Sequence, residues 1–191
     1  MQQEMIDISI DLFEKQGFKE TSIQDIVSAL GVTKGTFYYY FSSKETLLME
    51  IHRSYIDEIL EQQQTILKNE DATDAEKLKA LIHQLITSIE PKGDSARVFF
   101  REFRHLSREH LDEVLPKRDQ VRLNFEQVIR DGMQHGVFRP ELNPVIVTLG
   151  ILGACNWTYQ WFDADGSTSA DEVAAIYVDY MLHGLNKNEG G

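Results

Sequence analysis

Residues 21–41, TSIQDIVSALGVTKGTFYYYF, contain the pattern that decides the fold. Two short segments with helical spacing of apolar residues flank a tight turn at residues 30–32, where the central glycine can adopt positive φ. Thr21 and Gln24 have the spacing of a capping box at the start of the first segment, and Thr33 can cap the second. The stretch therefore predicts a helix-turn-helix.

Helix-spaced apolar residues continue on both sides of this stretch, and no segment has the alternation of a strand. Ser42 and Glu45 form a second capping-box pattern that opens a long helix. Pro91 is expected to end one helix, and Pro116 to end or kink another. The predicted helices cover residues 2–16, 21–29, 33–40, 42–68, 73–90, 94–115, 117–135, 143–163 and 169–186. The fold class is therefore all-α, with nine or ten helices.

The helix pattern predicts two domains. Residues 1–45 form a three-helix, helix-turn-helix DNA-binding domain, and the long helix joins it rigidly to residues 46–191. The second part is predicted to be a helical domain for ligand binding and dimerisation. The core of the DNA-binding domain is expected to contain Ile23, Ile26, Val27, Leu30, Val32, Phe37 and Phe41.

Composition narrows the classes of function. The 191 residues include 19 basic and 31 acidic ones, and this net charge of −12 argues against non-specific nucleic-acid binding by the whole surface. The single Cys155 fits a reducing compartment. The acid-containing start is unlike a signal peptide, and no uncharged apolar run reaches membrane-spanning length. We therefore expect a cytoplasmic protein without a membrane partner.

A local DNA-binding face remains compatible with this charge, because screening confines charge effects to about 10 Å. The outer face of the second short helix carries hydroxyls and a lysine that can reach bases or phosphates. Lys44, at the start of the long helix, can hold a second phosphate. The alternative is a small helical subdomain that never touches DNA. The predicted contact residues on the face are Thr33, Lys34, Gly35, Thr36, Tyr38, Tyr39 and Tyr40.

Residues 10–50 resemble the DNA-binding domain of TetR-type repressors. The positions that carry the resemblance are Phe13, Gly17, Thr21, Ile26, Gly31, Val32, Gly35, Tyr38, Phe41, Lys44 and Leu47. It implies a transcriptional regulator, by family expectation a repressor, that binds an operator in double-stranded DNA. It also implies contact roles for Gln24, Lys34, Gly35, Thr36, Tyr38, Tyr39, Tyr40 and Lys44. Such repressors usually carry several basic residues before the first helix, and Met1–Glu4 contain none.

A run of arginines is the first notable feature of the C-terminal part. On one continuous helix, Arg97, Arg101, Arg104 and Arg108 would occupy a stripe about 60° wide. The stripe suits a polyanion, because arginine grips phosphate with two hydrogen bonds. The opposite side, with Phe100 on its flank, suits a core or pocket wall and contains Phe99, Phe103 and Leu106. The alternative is a solvated stripe that pairs with Glu102 and Glu109.

The second feature is an apolar helix that contains residues 150–162. Its small residues permit close helix approach, and its two tryptophans are spaced to stack. This pattern is typical of a dimer helix, and we expect the last helix to complete a two-fold homodimer interface with it. In a second, compatible interpretation, Trp157 or Tyr159 also lines a ligand pocket.

Two C-terminal segments, FFREFRHLSREHLDEV and GACNWTYQWF, are similar to TetR-type regulators of lipid and sterol-ring catabolism. Those regulators sense coenzyme-A thioesters, so the resemblance implies an acyl-CoA effector that releases the DNA. The predicted ligand site contains Arg97, Phe99, Phe100, Arg101, Phe103, Arg104, Arg108, Trp157 and Tyr159.

The other residue patterns in the sequence predict neither a metal site nor an active site. The six histidines have no metal-binding spacing, and no constellation supports an enzyme. We expect no metal and no cofactor. The rival hypothesis is an acyl-CoA-binding or scaffold protein with a vestigial helix-turn-helix.

Overall fold

The computed structural model describes residues 1–186, without the side chains of residues 90–92. The described residues form nine α-helices and one short 3-10 helix, Phe103–His105, without a strand, which confirms the all-α prediction. In chain order, the α-helices are α1 (Gln2–Gln16), α2 (Ile23–Leu30), α3 (Lys34–Tyr40), α4 (Lys44–Leu67), α5 (Asp74–Thr87), α6 (Ile89–Arg101), α7 (Arg108–Gln134), α8 (Pro144–Trp161) and α9 (Ala170–Leu185).

The chain divides into two compact units. Residues 1–57 and 92–116 form the first unit, and residues 58–91 with the chain from residue 117 onward form the second. The predicted boundary at residue 45 therefore marks the end of the three-helix head, α1–α3, and not the edge of a compact unit. The unit extends further because Phe99 of α6 packs in the core beside His52 and Tyr55 of α4.

The first unit is built around the head. Ile26, Val27, Phe37 and Phe41 are buried, as predicted, whereas the other three members of the predicted core are half-buried. Phe13 of α1 is fully buried with them. This core fixes α3 by one side and leaves its other side in solvent.

The second unit buries the apolar side of α5. Fully buried leucine and isoleucine side chains of this helix lie in a core where α5 packs against α8 and α9. Phe125 and Ile129 of α7 are also fully buried. Phe138 follows α7 and closes its end, and the backbone N–H of Arg139 donates to the carbonyl of Leu185 at 2.9 Å.

Two helix starts differ from the predicted capping boxes. Ser22, not Thr21, caps α2, and its box partner is Asp25, not Gln24. Thr21 is buried, and its hydroxyl donates to the carbonyl of Gly17 at 2.8 Å. At α4, the Ser43 hydroxyl accepts from the backbone N–H of Thr46 at 3.0 Å. In both places a neighbouring hydroxyl residue reaches the free backbone N–H groups of the first turn.

The two prolines do not end helices where the sequence predicts. Pro91 lies in the first turn of α6, where a backbone N–H needs no helical acceptor, so the helix forms around it. Pro116 lies inside α7, which continues to Gln134. The break in this region comes earlier, at Glu102, whose φ of −96° and ψ of 0° end α6 and start the 3-10 helix.

Candidate functional site

Helix α3 presents an exposed aromatic face on a well-supported scaffold. Thr33 caps it, since its hydroxyl accepts from the backbone N–H of Thr36 at 3.3 Å, as predicted. Phe37 points inward and is fully buried, whereas Tyr39 is 81% exposed and Tyr38 is 55% exposed. A tyrosine this exposed contributes little to folding, so its ring and hydroxyl are available to a partner.

The other predicted contact residues of α2 and α3 are exposed or half-buried. Gln24 is exposed on α2 and donates from Nε2 to the hydroxyl of Ser28 at 3.0 Å. Around α3, Thr33, Lys34 and Gly35 are exposed, and Thr36 and Tyr40 are half-buried. The structure therefore brings together every predicted contact residue of α3, and their roles in binding stay predictions.

The turn before α3 is held by local chemistry. Gly31 ends α2 with φ of 67°, the left-handed conformation that the sequence predicted for it. The backbone N–H of Ser22 donates to Asp25 at 2.8 Å, and the N–H of Asp25 donates back to the Ser22 hydroxyl at 3.1 Å. Hydrogen bonds from Ser22 lower the pKa of Asp25 below its ordinary value. The capping box at the start of α2 and the left-handed Gly31 at its end thus fix both ends of this helix.

Lys44 stabilises the loop between α1 and α2. Its ammonium group donates to the backbone carbonyls of Phe18, Lys19 and Thr21, and it lies 4.3 Å from the centre of the Phe18 ring. Desolvation by these neighbours lowers the pKa of Lys44 below its ordinary value. A phosphate contact by Lys44 stays a prediction, and the loop between α1 and α2 depends on the same group.

Sequence reasoning missed the carboxylate of Glu45. Its Oε1 accepts from the backbone N–H of Ser107 at 2.7 Å and from Nδ1 of His110 at 2.8 Å, so α4 caps the start of α7. The hydrogen bond from the Ser107 backbone lowers the pKa of Glu45. The partners are 62 and 65 residues apart, and no local pattern could have paired them.

The predicted arginine stripe does not exist. Arg97 and Arg101 belong to the last two turns of α6, Arg104 to the 3-10 helix and Arg108 to the start of α7. The helix ends at Glu102, so the spacing of the four arginines does not place them on one side of a helix. The structure gives them individual surroundings instead of one face.

Two of these arginines form ion pairs with carboxylates of the protein itself. Nε of Arg97 lies 3.1 Å from Glu14 Oε1, and its Nη2 pairs with Asp94. Nη1 of Arg101 lies 4.0 Å from the same Glu14 oxygen. These contacts hold α6 to α1. Arg104 and Arg108 are exposed.

The predicted ligand residues differ in burial, and their role in ligand binding stays a prediction. Phe99 is 2% exposed and packs with its ring centre 4.8 Å from Tyr55, so it is a core residue. Phe100 and Phe103 are half-buried in the same unit. Trp157 and Tyr159 belong to the second unit, where Tyr159 is half-buried and Trp157 is 62% exposed.

Helices α8 and α9 share an exposed apolar surface, the α8–α9 face. On α8, the exposed positions recur with helical spacing along one side, and two exposed glycines lie between the large residues. An apolar groove of about 300 Å³ lies between the two helices. The large exposed residues are Ile146, Leu149, Trp157, Trp161, Ile176 and Tyr180. Large apolar side chains exposed together on neighbouring helices are typical of an interaction surface.

Two negative findings concern the described residues. Within residues 1–186, apart from the side chains of 90–92, no three His, Cys, Asp or Glu side chains are grouped to hold a metal ion. No described helix is both long and apolar enough to span a membrane.

Burial raises the pKa of the Cys155 thiol to about 12, so the thiol is protonated at neutral pH.

Comparisons with known proteins cover both parts of the chain. Residues 6–51 match the model for bacterial regulatory proteins of the tetR family. Residues 71–185 match the model for the tetracyclin repressor-like C-terminal domain. The HTH-type transcriptional repressor KstR2 of Mycolicibacterium smegmatis is 26% identical over 188 residues, which cover 98% of this chain and 91% of the relative.

Solved structures agree with the fold. The ketosteroid transcriptional regulator KstR2 of Mycobacterium tuberculosis has a TM-score of 0.90 at 24% identity, over 98% of this chain and 95% of that one. AibR in complex with isovaleryl coenzyme A and operator DNA has a TM-score of 0.86 at 23% identity, over 95% of this chain and 97% of that one. At these identities the likeness concerns the fold alone.

Proposed function

The chain belongs to the TetR family of bacterial transcriptional regulators, which are not enzymes, and we propose that it is a cytoplasmic repressor released from its operator by an acyl-CoA thioester. The repressor acts as a homodimer on a near-palindromic DNA site. The observation that carries the proposal is the exposed face of α3, with Tyr39 at 81% exposure on a helix fixed by a buried core. The name of the relative KstR2 as a repressor supports the sign of regulation.

The α3 face supports DNA binding by local chemistry. The net charge is −12, and residues 1–50 contain four lysines against eight acidic residues. Binding therefore relies on hydroxyls, aromatic rings and a few well-placed lysines rather than on a general positive field. Lys34 at the first position of α3 contributes one such charge.

Substitutions on this face should separate base reading from phosphate contact. Tyr39→Ala should weaken operator binding about tenfold or more and reduce the preference for operator over scrambled DNA, because a base-edge contact contributes about 1–3 kcal/mol. Lys34→Ala should also lower the slope of log affinity against log salt by about 0.9. Fluorescence anisotropy with labelled DNA measures both effects.

Lys68→Ala is the matched control, since Lys68 is an exposed lysine of the second unit. It should leave affinity and salt slope unchanged. If Tyr39→Ala and Lys34→Ala both bound the operator as the wild type does, α3 would not be the recognition helix.

The α8–α9 face supports the homodimer. A two-fold dimer buries the same surface of each subunit against its copy, and exposed glycines in the middle of α8 permit close approach. Two heads held by one dimer can read two half-sites, so we expect the operator to be near-palindromic. Trp157 belongs to this face, so its exposure favours the dimer role.

The proposal of an acyl-CoA effector is supported by a known protein of the same fold and by two exposed arginines. AibR, whose fold this chain shares, was solved with isovaleryl coenzyme A and operator DNA. The guanidinium groups of Arg104 and Arg108 are exposed and can hold phosphate without a buried-charge penalty. Arg97 already pairs with Glu14 and Asp94, so Arg104 and Arg108 are the better candidates for this role.

Calorimetry should distinguish the parts of the effector. We expect the protein to bind an acyl-CoA thioester more tightly than CoA alone or the free acid, because only the thioester supplies both an apolar chain and phosphates. Arg104→Ala with Arg108→Ala should weaken binding of the thioester several-fold and leave binding of the free acid unchanged. Tight binding of the free acid, with no response to any CoA ester, would contradict this effector class.

Release of DNA requires that the effector prefer the conformation that does not bind DNA. A preference of about 1–3 kcal/mol is typical of such coupling. Helices α4, α6 and α7 each contribute residues to both compact units, and α4 is the one that follows the head directly in the chain. We propose that effector binding acts through α4 on the distance between the two heads of the dimer.

A further inference from the structure

Two glutamine side chains are buried in the second unit, and each has one polar atom without a hydrogen-bond partner among the described residues. Gln63 of α4 is fully buried and Gln84 of α5 is 9% exposed. Within the part of the chain that the structure describes, Gln63 Nε2 and Gln84 Oε1 have no hydrogen-bond partner. Proteins rarely leave buried polar atoms unpaired, because each loses its hydrogen bonds to water. These two atoms are therefore candidates for binding a ligand.

Gln63 is the inner end of a chain of three amides. Gln120 donates from Nε2 to Asn124 Oδ1 at 2.9 Å, and Asn124 donates from Nδ2 to Gln63 Oε1 at 2.7 Å. Reversing all three amides would preserve both bonds and leave Gln63 with an unpaired oxygen in place of the N–H. In either direction, one buried polar atom of Gln63 remains for a partner.

Gln84 ends a second chain whose direction is fixed. Gln62 donates from Nε2 to a Glu58 oxygen at 3.4 Å, and a carboxylate can only accept. The Gln62 oxygen therefore accepts from Gln84 Nε2, at 2.9 Å. This leaves Gln84 Oε1 as an acceptor, so its partner must bring a donor.

We infer that the unpaired amide atoms of Gln63 and Gln84 hydrogen-bond to neutral polar groups of the effector, and that the group at Gln84 is a donor. A carboxylate provides no donor for Gln84, and an alkyl chain provides neither donor nor acceptor. A secondary amide and a hydroxyl each provide both. An acyl-CoA thioester can bring such a group from two sources, the amides of its pantetheine arm or a hydroxyl on its acyl chain. The inference rests on the proposed acyl-CoA function.

Calorimetry with Gln84→Leu tests the inference. The probes are isovaleryl-CoA, isovaleryl-pantetheine and 3-hydroxyisovaleryl-CoA. We expect Gln84→Leu to weaken binding of the esters about tenfold or more. A loss that persists with isovaleryl-pantetheine assigns the contact to the pantetheine amides, and a loss confined to the hydroxylated ester assigns it to the acyl hydroxyl.

Stability without effector supplies the second readout. Gln84→Leu should keep or raise the melting temperature, because it removes an unpaired buried acceptor and its partner Gln62 is exposed to water. Gln64→Leu is the matched control on an exposed position of α4 and should leave binding unchanged. If Gln84→Leu does not fold, Gln84→Met removes the same acceptor with an unbranched side chain.

Two results would overturn the inference in different ways. If the wild type binds an ester and both Gln84→Leu and Gln63→Leu bind it equally well, the two amides are structural and only this inference fails. If the wild type binds none of the esters, the proposed effector class fails and the inference fails with it.

Discussion

Ile176→Glu should convert the protein from a dimer into a folded monomer. Ile176 is 60% exposed, so the monomer tolerates the carboxylate. A two-fold interface buries both copies of the substitution, and each unpaired charge costs several kcal/mol there. We expect the dimer dissociation constant to rise about a thousandfold, which corresponds to about 4 kcal/mol. Sedimentation at micromolar concentration measures the change.

Operator binding should fall with the dimer. A monomer holds one half-site alone, so we expect affinity for the full operator to decrease about a hundredfold or more, while circular dichroism shows that the monomer keeps its helices. Leu115→Glu is the control, because Leu115 is an exposed apolar residue of α7 outside the α8–α9 face. If the Ile176→Glu variant remained dimeric, that result would contradict the assignment of this face.

Gly132→Ala should destabilise the second unit by about 2–4 kcal/mol. A methyl group on Gly132 would overlap Cδ2 and Cε2 of the Phe138 ring, which is fully buried. Moving the ring out of its site costs far more than the gain of about 1 kcal/mol from helix propensity. For a chain of this length, the melting temperature should fall by roughly 5–15 °C.

Gly93→Ala is the control, because a methyl group at this position of α6 overlaps no neighbouring atom. A methyl group there would meet the Arg97 guanidinium at 3.5 Å, an ordinary contact. We expect unchanged or slightly higher stability. Thermal unfolding of both variants compares them, and equal melting temperatures would show that Phe138 does not pack against Gly132 as described.

The features predicted correctly from the sequence are those determined by near neighbours in the chain. Gly31 is the clearest, since a helix end followed by a glycine needs only local backbone geometry to form a left-handed cap. Thr33 caps its helix as predicted for the same reason. The boundaries of the helix-turn-helix could therefore be predicted closely from one sequence.

The arginine pattern shows where such reasoning fails. Spacing of i, i+4, i+7 and i+11 predicts a stripe only if one helix continues through it. The backbone turns at Glu102, whose side chain is 5% exposed, and tertiary packing overrides the helical pattern there. Nothing in the local composition marks this break.

The candidate site also depends on pairs that are distant in the chain. Asn124 and Gln63 bond across 61 residues, and Glu45 and Ser107 across 62. Each residue type alone is typical of a solvent-exposed helix position, so a sequence predicts none of these pairings. Only the packing of the helices brings the partners together.

We expect this chain to bind its operator as a dimer and to release it when the effector binds. The most direct test is fluorescence anisotropy with DNA from upstream of its own gene, at physiological salt, with and without acyl-CoA. We predict saturable binding by an even number of protomers, at least a thousandfold tighter than to scrambled DNA, and loss of binding on adding the thioester. Equal affinity for the upstream and scrambled DNA, unchanged by any acyl-CoA, would contradict the claim.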